Sequence, residues 1–258
     1  MTDGARRLAL VTGGARRLGG AISARLARGG WALAIHGRAS GEPEAALAEV
    51  LADAGAQWRP VAADLSDPAA VAGLIERVTA EWGRPPDLLV NNAAPFADDD
   101  WRAMTAGSLH DQFAAAAAAP ILLTRDLAKC AREAGRRASA IMILDQRIAH
   151  PHGDQASYTV AKLALAGAVP MLASACAPTL RVNGVAPGLT LPTGDYTTGQ
   201  LARLAGRMPT GRLPAPEQVA DAVAWLAEAD AVTGQVLYVD GGAHLRSFGR
   251  DFVHLERD

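Results

Sequence analysis

The chain has 258 residues, half of them apolar and a fifth charged, with a formal net charge of −2. That length suits one large α/β domain or two small ones, and the near balance of charge excludes the basic field that a nucleic-acid backbone requires. The apolar run Leu8–Val11 is too short for a signal-peptide core, and the weakly apolar stretch 163–177 falls short of the roughly 20 residues of a membrane span, so a soluble cytoplasmic protein is expected. Cys130 and Cys176 lie far apart without metal-ligand spacing, which reads as two free thiols in a reducing compartment and no metal site.

In chain order, short apolar runs predict strands at Leu8–Thr12, Ala32–His36, Trp58–Ala63, Asp87–Asn91, Ala140–Asp145, Arg181–Ala186 and Val236–Val239. Amphipathic segments between them predict helices at Leu18–Arg28, Pro43–Ala54, Pro68–Trp82, Leu109–Glu133, Gln155–Ala175 and Pro216–Glu228. Ser66-Asp67-Pro68 and Pro216-Glu217 mark helix starts, with proline just inside the first turn. Continuous apolar strands alternating with helices define a doubly wound parallel sheet covered on both faces. No linker or internal repeat divides the chain, so residues 1–258 are read as a single α/β domain of Rossmann type.

After the first predicted strand comes TGGARRLGG, Thr12–Gly20, a Gly-rich turn entering a helix, where backbone N–H groups and the helix dipole meet a dinucleotide pyrophosphate. The second strand ends AIHGRAS, Ala34–Ser40, with no acid before Glu42 to accept hydrogen bonds from a ribose. Gly37 leaves room there, and Arg38, Ser40 and Arg17 surround the place of a 2′-phosphate, which selects NADPH because an Arg fork matches phosphate geometry. Tyr158 and Lys162 lie one helical turn apart, thirteen residues beyond an acid, Asp145, that ends an apolar run. Lysine occurs at only two positions in the whole chain, Lys129 and Lys162, which makes the second one notable.

Taken together, TGGARRLG, ADLSD around Asp64, NNAA at Asn91–Ala94, YTVAK, RVNGVAPG at Arg181–Gly188 and TGQVLYVDGG at Thr233–Gly242 resemble the short-chain dehydrogenases/reductases over roughly residues 6–245. The resemblance implies a sheet of about seven strands in the order 3-2-1-4-5-6-7, hydride transfer with NAD(P), and a homotetramer. It implies a cofactor site of Gly13, Arg16, Arg17, Leu18, Gly19, His36, Gly37, Arg38, Ser40, Asp64, Leu65, Asn91, Ala93, Tyr158, Lys162, Pro187 and Gly188. In it Asp64 and Leu65 contact adenine, Asn91 and Ala93 line the channel, and Pro187-Gly188 holds the carboxamide. Tyr158 is the implied proton donor, and Lys162 binds the ribose and lowers the phenol's pKa. The relay asparagine usual in the fourth helix is replaced by Ala116.

The family usually places serine where this chain has Asp145. Asp145 combined with TGxxxRxG, HGRAS and the Phe96 of NNAAPF is similar to the pteridine reductase and dihydromonapterin reductase subgroup, as is VDGGAHL at Val239–Leu245. The implied reaction is NADPH-dependent reduction of a C=N bond of a dihydropterin, with Phe96, Asp145 and Tyr158 at the substrate. A carboxyl beside a phenol in a dry pocket has its pKa raised, so Asp145 can be neutral and donate to Tyr158 or to the ring; ionised, it can instead accept from pterin N–H groups, and the sequence leaves both states open. A carbonyl reductase of the same family and a catalytically silent NADPH-binding sensor are the competing readings. Residues 189–213 are expected to form a mobile loop over the substrate. The tail 244–258 is expected to reach a neighbouring subunit through Arg246.

Overall fold

The computed structural model describes residues 6–96, 98–192 and 194–257. Seven parallel strands form one sheet: β1 (Leu8–Val11), β2 (Ala32–Gly37), β3 (Trp58–Ala62), β4 (Leu88–Asn91), β5 (Ala138–Ile143), β6 (Leu180–Pro187) and β7 (Val236–Val239), in the order β3-β2-β1-β4-β5-β6-β7. The order reverses at β1, so the loops after β1 and β4 part and leave a crevice at the carboxyl ends of the strands. β1, β2, β4 and β5 are buried along their whole length, as strands covered on both faces must be.

Residues alternate between two cores because side chains alternate across a strand. Leu8 and Leu10 join Ala32, Ala34 and Met142 in a cluster under α3 (Pro68–Val71), α4 (Leu74–Trp82), α6 (Ala119–Glu133) and α7 (Ala156–Ala175). Ala9 and Val11 join Leu33, Ile35 and Ile141 under α1 (Arg17–Arg28), α2 (Ala45–Asp53) and α9 (Pro216–Glu228) on the other face. Both cysteines are buried free thiols. At 20 residues α7 is long and apolar enough to cross a membrane by length and composition, but 61% of its apolar window is buried inside the protein. It is a core helix that carries Tyr158 and Lys162.

Three predicted elements differ. The helix expected at Pro68–Trp82 is two helices, broken at Gly73, whose φ is +76°. The helix expected from Leu109 starts earlier, as α5 (Ala106–Phe113), because Thr105 and Ser108 form a capping box that binds both backbone N–H groups. It then widens into a π-helical turn over Ala114–Ala118 before α6. Pro120 has no N–H to offer the carbonyl of Ala116, and the N–H of Ala119 reaches back five residues to Ala114 instead. Finally, the segment 189–213 is not a continuous loop: it contains α8 (Thr198–Arg207), started by the Thr197 side chain accepting from the Gln200 N–H.

Asp87, just before β4, fastens the amino-terminal ends of the central strands, opposite the crevice. Its carboxylate accepts from the Leu8 N–H at 2.8 Å, Arg84 at 2.6 Å and Arg136 at 2.6 Å. Burial works against its charge, but the Arg136, Leu8 and Arg84 hydrogen bonds prevail and hold its pKa below the ordinary value. A depressed carboxylate stabilises the fold above its unfolded pKa of about 3.9 and loses that contribution as pH falls through the folded value. Asp87→Asn is therefore expected to cost about 2 kcal/mol at pH 7 in urea unfolding. The difference from the parent should shrink below about pH 4; an equal difference at both pH values would contradict this.

Candidate active site

The loop between β1 and α1 is shaped by close backbone approach. A Cβ on Gly19 would lie 1.9 Å from the Gly13 carbonyl oxygen, so no other residue fits there. Thr12 Oγ1 accepts from the N–H groups of Asn92 at 2.9 Å and Ala93 at 3.0 Å, and Asn92 Nδ2 donates to the Thr12 and Gly13 carbonyls at 2.9 and 3.2 Å. The loops after β1 and β4 are thereby tied together at the point where strand order reverses. Helix α1 has no side-chain cap and no acid in its first turn, and Arg16 and Arg17 are exposed beside it. Free N–H groups at the positive end of a helix, flanked by two guanidiniums, fit a pyrophosphate. Leu18 is half-buried behind them and packs against the α1 core.

His36 links this loop to β3: Nδ1 accepts from the Gly13 N–H at 3.2 Å, and Nε2 donates to the Ala63 carbonyl at 3.0 Å. Burial keeps its pKa below the ordinary histidine value, so the ring is neutral and able to accept at Nδ1. Gly37 is required by the turn itself, since a Cβ would meet the Ser40 carbonyl at 1.7 Å. Ser40 Oγ accepts from the Glu42 N–H. The exposed Arg38 pairs with Asp64 at 2.8 Å. Hydrogen bonds from the Ser66 hydroxyl and N–H hold the Asp64 carboxyl below its ordinary range.

Two residues of the expected cofactor site turn their side chains inward, leaving only their backbone to face a ligand. Asn91 turns its amide inward, donating to Thr124 Oγ1 at 3.2 Å, and Leu65 packs into the core. Their side chains support the site from behind. Ala93 lies at the crevice, its N–H on Thr12 Oγ1, and Pro187-Gly188 ends β6 with the Gly188 N–H donating to the Val239 carbonyl.

The strongest convergence is at the end of β5. Tyr158 Oη donates to Asp145 Oδ2 at 3.2 Å, and Phe96 meets the tyrosine ring edge-on with centroids 5.1 Å apart. Asp145 does not sit in a dry pocket beside a phenol alone. The Arg147 guanidinium lies 3.3 Å from Asp145 Oδ1, and the Arg147 N–H donates to the same oxygen at 2.9 Å. The arrangement is an ion pair, which favours the second of the two roles left open by the sequence, a carboxylate that accepts. Burial works against the charge on Arg147, but Asp145 and Asp251 prevail and raise its pKa.

Lys162 lies behind the phenol, one helical turn along α7. Its ammonium donates to the Ile143 carbonyl at 2.6 Å, and its Nζ lies 5.6 Å from the tyrosine ring centroid. Burial first, then the Asp145 charge, push Tyr158 well above the ordinary phenol value, with Arg147 opposing. The phenol keeps its proton at neutral pH. Burial brings Lys162 down to about 8.

The loop after β4 is pinned to the start of α7. Asp99 accepts from the Ser157 N–H at 3.3 Å and the Ser108 hydroxyl at 3.1 Å, and the Trp101 N–H donates to the Gly153 carbonyl at 3.0 Å. Phe96 and Trp101 stand exposed at the mouth. The tail folds back on its own chain: Phe248 and Phe252 pack with Leu204 of α8 and with Met208 just after it, and Asp251 reaches Arg147 at 2.7 Å. Arg246 is exposed. Sequence reasoning missed Asn92, Asp99, Arg147 and Asp251. The one available signal was Arg147, two residues beyond Asp145 in DQR.

A family profile described as enoyl-(acyl carrier protein) reductase matches residues 13–244. The 3-oxoacyl-[acyl-carrier-protein] reductase FabG of Escherichia coli K12 is 32% identical over 254 residues, covering 93% of this chain and 98% of the relative. Cis-4-hydroxycyclohexanecarboxylate dehydrogenase of Sinomonas cyclohexanicum is 35% identical, covering 92% and 96%. Among solved structures, FolM alternative dihydrofolate reductase 1 from Brucella canis, complexed with NADP, superposes with a TM-score of 0.83 at 36% identity, covering 93% and 95%. The chain belongs to the short-chain dehydrogenase/reductase family of NAD(P)-dependent oxidoreductases.

Between pH about 8 and the unfolded lysine pKa of about 10.4, the unfolded chain holds the Lys162 proton and the folded chain releases it. Stability of the ligand-free protein should therefore gain from Lys162 as pH rises through that window. In urea unfolding the advantage of the parent over Lys162→Met is expected to be greater at about pH 9.5 than at about pH 7.5. A difference independent of pH would contradict it.

Proposed function

We propose that the protein is an NADP-dependent reductase of a C=N bond in a dihydropterin. The observation that carries this reading is the charge at the position where the family's serine polarises a carbonyl. An Arg147-paired carboxylate there would repel the oxygen of a ketone and the alkoxide that forms from it. It suits a flat heterocycle that offers N–H and amino donors. NADPH, held at the α1 N-terminus with Arg17 and Arg38 toward its 2′-phosphate, supplies the hydride when bound.

The chain's own groups do the rest. Asp145 accepts from the ring's N–H groups and fixes its orientation, and Phe96 covers its flat face, a contact of about 1 kcal/mol beyond area burial. Tyr158 holds its proton at Oη until negative charge develops on the ring nitrogen, then donates it. Lys162, anchored on Ile143, is placed to bind the nicotinamide ribose. With Ala116 in place of the relay asparagine, the tyrosine is reprotonated by solvent more directly. The likeness to the Brucella canis dihydrofolate reductase supports the substrate class. The assembly that goes with this reading is a homotetramer, supported by exposed apolar side chains Val160, Leu163 and Met171 on α7 and Trp225 on α9.

A second reading, reduction of a carbonyl on an acyl thioester, is supported by the likeness to FabG. Dihydropterin-dependent loss of NADPH absorbance distinguishes the two. The pterin reading expects turnover on dihydropterins, lowered about 100-fold or more by Tyr158→Phe. It expects Asp145→Ser to impair pterin reduction while sparing or improving ketone reduction. Turnover on 3-oxoacyl thioesters with none on any dihydropterin would overturn it.

A further inference from the structure

A buried polar cluster ties the C-terminal segment to the Asp145–Tyr158 pair through Arg147. Arg147 is 5% exposed and sits between two carboxylates. On one side are the Oδ1 contact and N–H bond to Asp145; on the other, its Nη2 donates to Asp251 Oδ2 at 2.7 Å. Nη1 donates to Gln155 Oε1 at 3.2 Å and Thr159 Oγ1 at 3.4 Å. Gln155 begins α7 in the left-handed region, with φ +45°, a conformation that a non-glycine residue keeps only when its surroundings impose it. A single guanidinium thus fixes the end of β5, which carries Asp145, and the first turn of α7, which carries Tyr158.

Asp251 is itself held from both directions. Its Oδ1 accepts from the Val253 N–H at 2.9 Å, and its N–H donates to Asp154 Oδ2 at 2.8 Å. The neighbouring Arg250 forks onto Asp154 at 3.0 and 3.2 Å. Beyond it, Gln200 of α8 donates to the carbonyls of Val253 and Leu255 at 3.2 and 2.7 Å. The tail is therefore built into its own chain's site, and Asp251 is its point of entry.

We propose that Asp251 is a positioning residue for the reaction: by holding the far side of the Arg147 guanidinium, it keeps that cation aligned to set the Asp145 carboxylate against the Tyr158 hydroxyl. This rests on the assignment of Asp145 and Tyr158 as the substrate-facing pair. A guanidinium released from Asp251 is free to rotate onto Asp145 alone, to compete with Tyr158 for its oxygens, and to let Gln155 relax. Asp251 touches neither the crevice loops nor the α1 N-terminus, so cofactor affinity should not change.

The test is a double-mutant cycle of Asp251→Ala with Asp145→Ser on the full-length protein, reading kcat with dihydropterin and NADPH affinity by cofactor fluorescence. In the Asp145 parent, Asp251→Ala is expected to lower kcat about fivefold or more with NADPH affinity unchanged, and in the Asp145→Ser background by less than about twofold. Should the alanine variant fail to fold, Asp251→Asn, which keeps an acceptor for Val253, is read by the same criteria. A kcat within about twofold of the parent, or an equal loss in both backgrounds, would overturn the proposal. If the parent turns over no dihydropterin, the substrate reading falls, and the same cycle on a 3-oxoacyl thioester decides the positioning role.

Discussion

An anionic carboxylate within hydrogen-bond distance of a buried phenol needs a cation at hand, and Arg147 is that cation. Opposite unit charges about 4 Å apart attract by about 4 kcal/mol at an effective dielectric near 20, enough to decide the state of a partly buried site. Lys162, the cation expected to serve the tyrosine, has its ammonium on the Ile143 carbonyl. Arg147 therefore keeps Asp145 an acceptor and opposes the upward push on Tyr158. The result is a pair with divided roles, an acceptor and a holder of one proton, which suits the proposed reduction of C=N within a nitrogen-rich ring.

The fold serves this pair by bringing three distant segments to one place. The crevice between the β1 and β4 loops, laced by Thr12 and Asn92, opens at the free end of α1, where the proposed reading seats the dinucleotide. The loop of Phe96, Asp99 and Trp101 is fastened to the start of α7, so the aromatic ring and Tyr158 keep their mutual position. The C-terminal segment and α8 close a third small core around Phe248 and Phe252 and deliver Asp251 to the guanidinium. Substrate selection and catalytic geometry thus share one set of supports.

Much of this was legible in the sequence. Seven apolar runs gave the strands, because fully buried parallel strands need little else to be recognised, while their order in the sheet came from the family resemblance. Tyr158, Lys162, Asp145 and Phe96 stood out through spacing and resemblance, and the structure brings Asp145, Tyr158 and Phe96 together. The charge state of Asp145 was not legible, since it depends on the path of DQR after β5 and on a carboxylate more than a hundred residues away in sequence. Helix α8 was hidden by the Gly, Thr and Pro content around it, whose turn signals masked the pattern of Leu201, Leu204 and Met208. Asn91 looked like a lining residue, and only the strand register shows its side chain turned to Thr124.

The most direct measurement is a crystal structure of the ternary complex with NADP and a dihydropterin. The account predicts the pterin ring lying between Phe96 and the nicotinamide, with its N–H groups on the Asp145 carboxylate, Tyr158 Oη toward the ring nitrogen that is protonated, and the Arg147 contacts to Asp145 and Asp251 intact. A pterin bound away from Asp145, or Arg147 turned from both carboxylates in the complex, would contradict it.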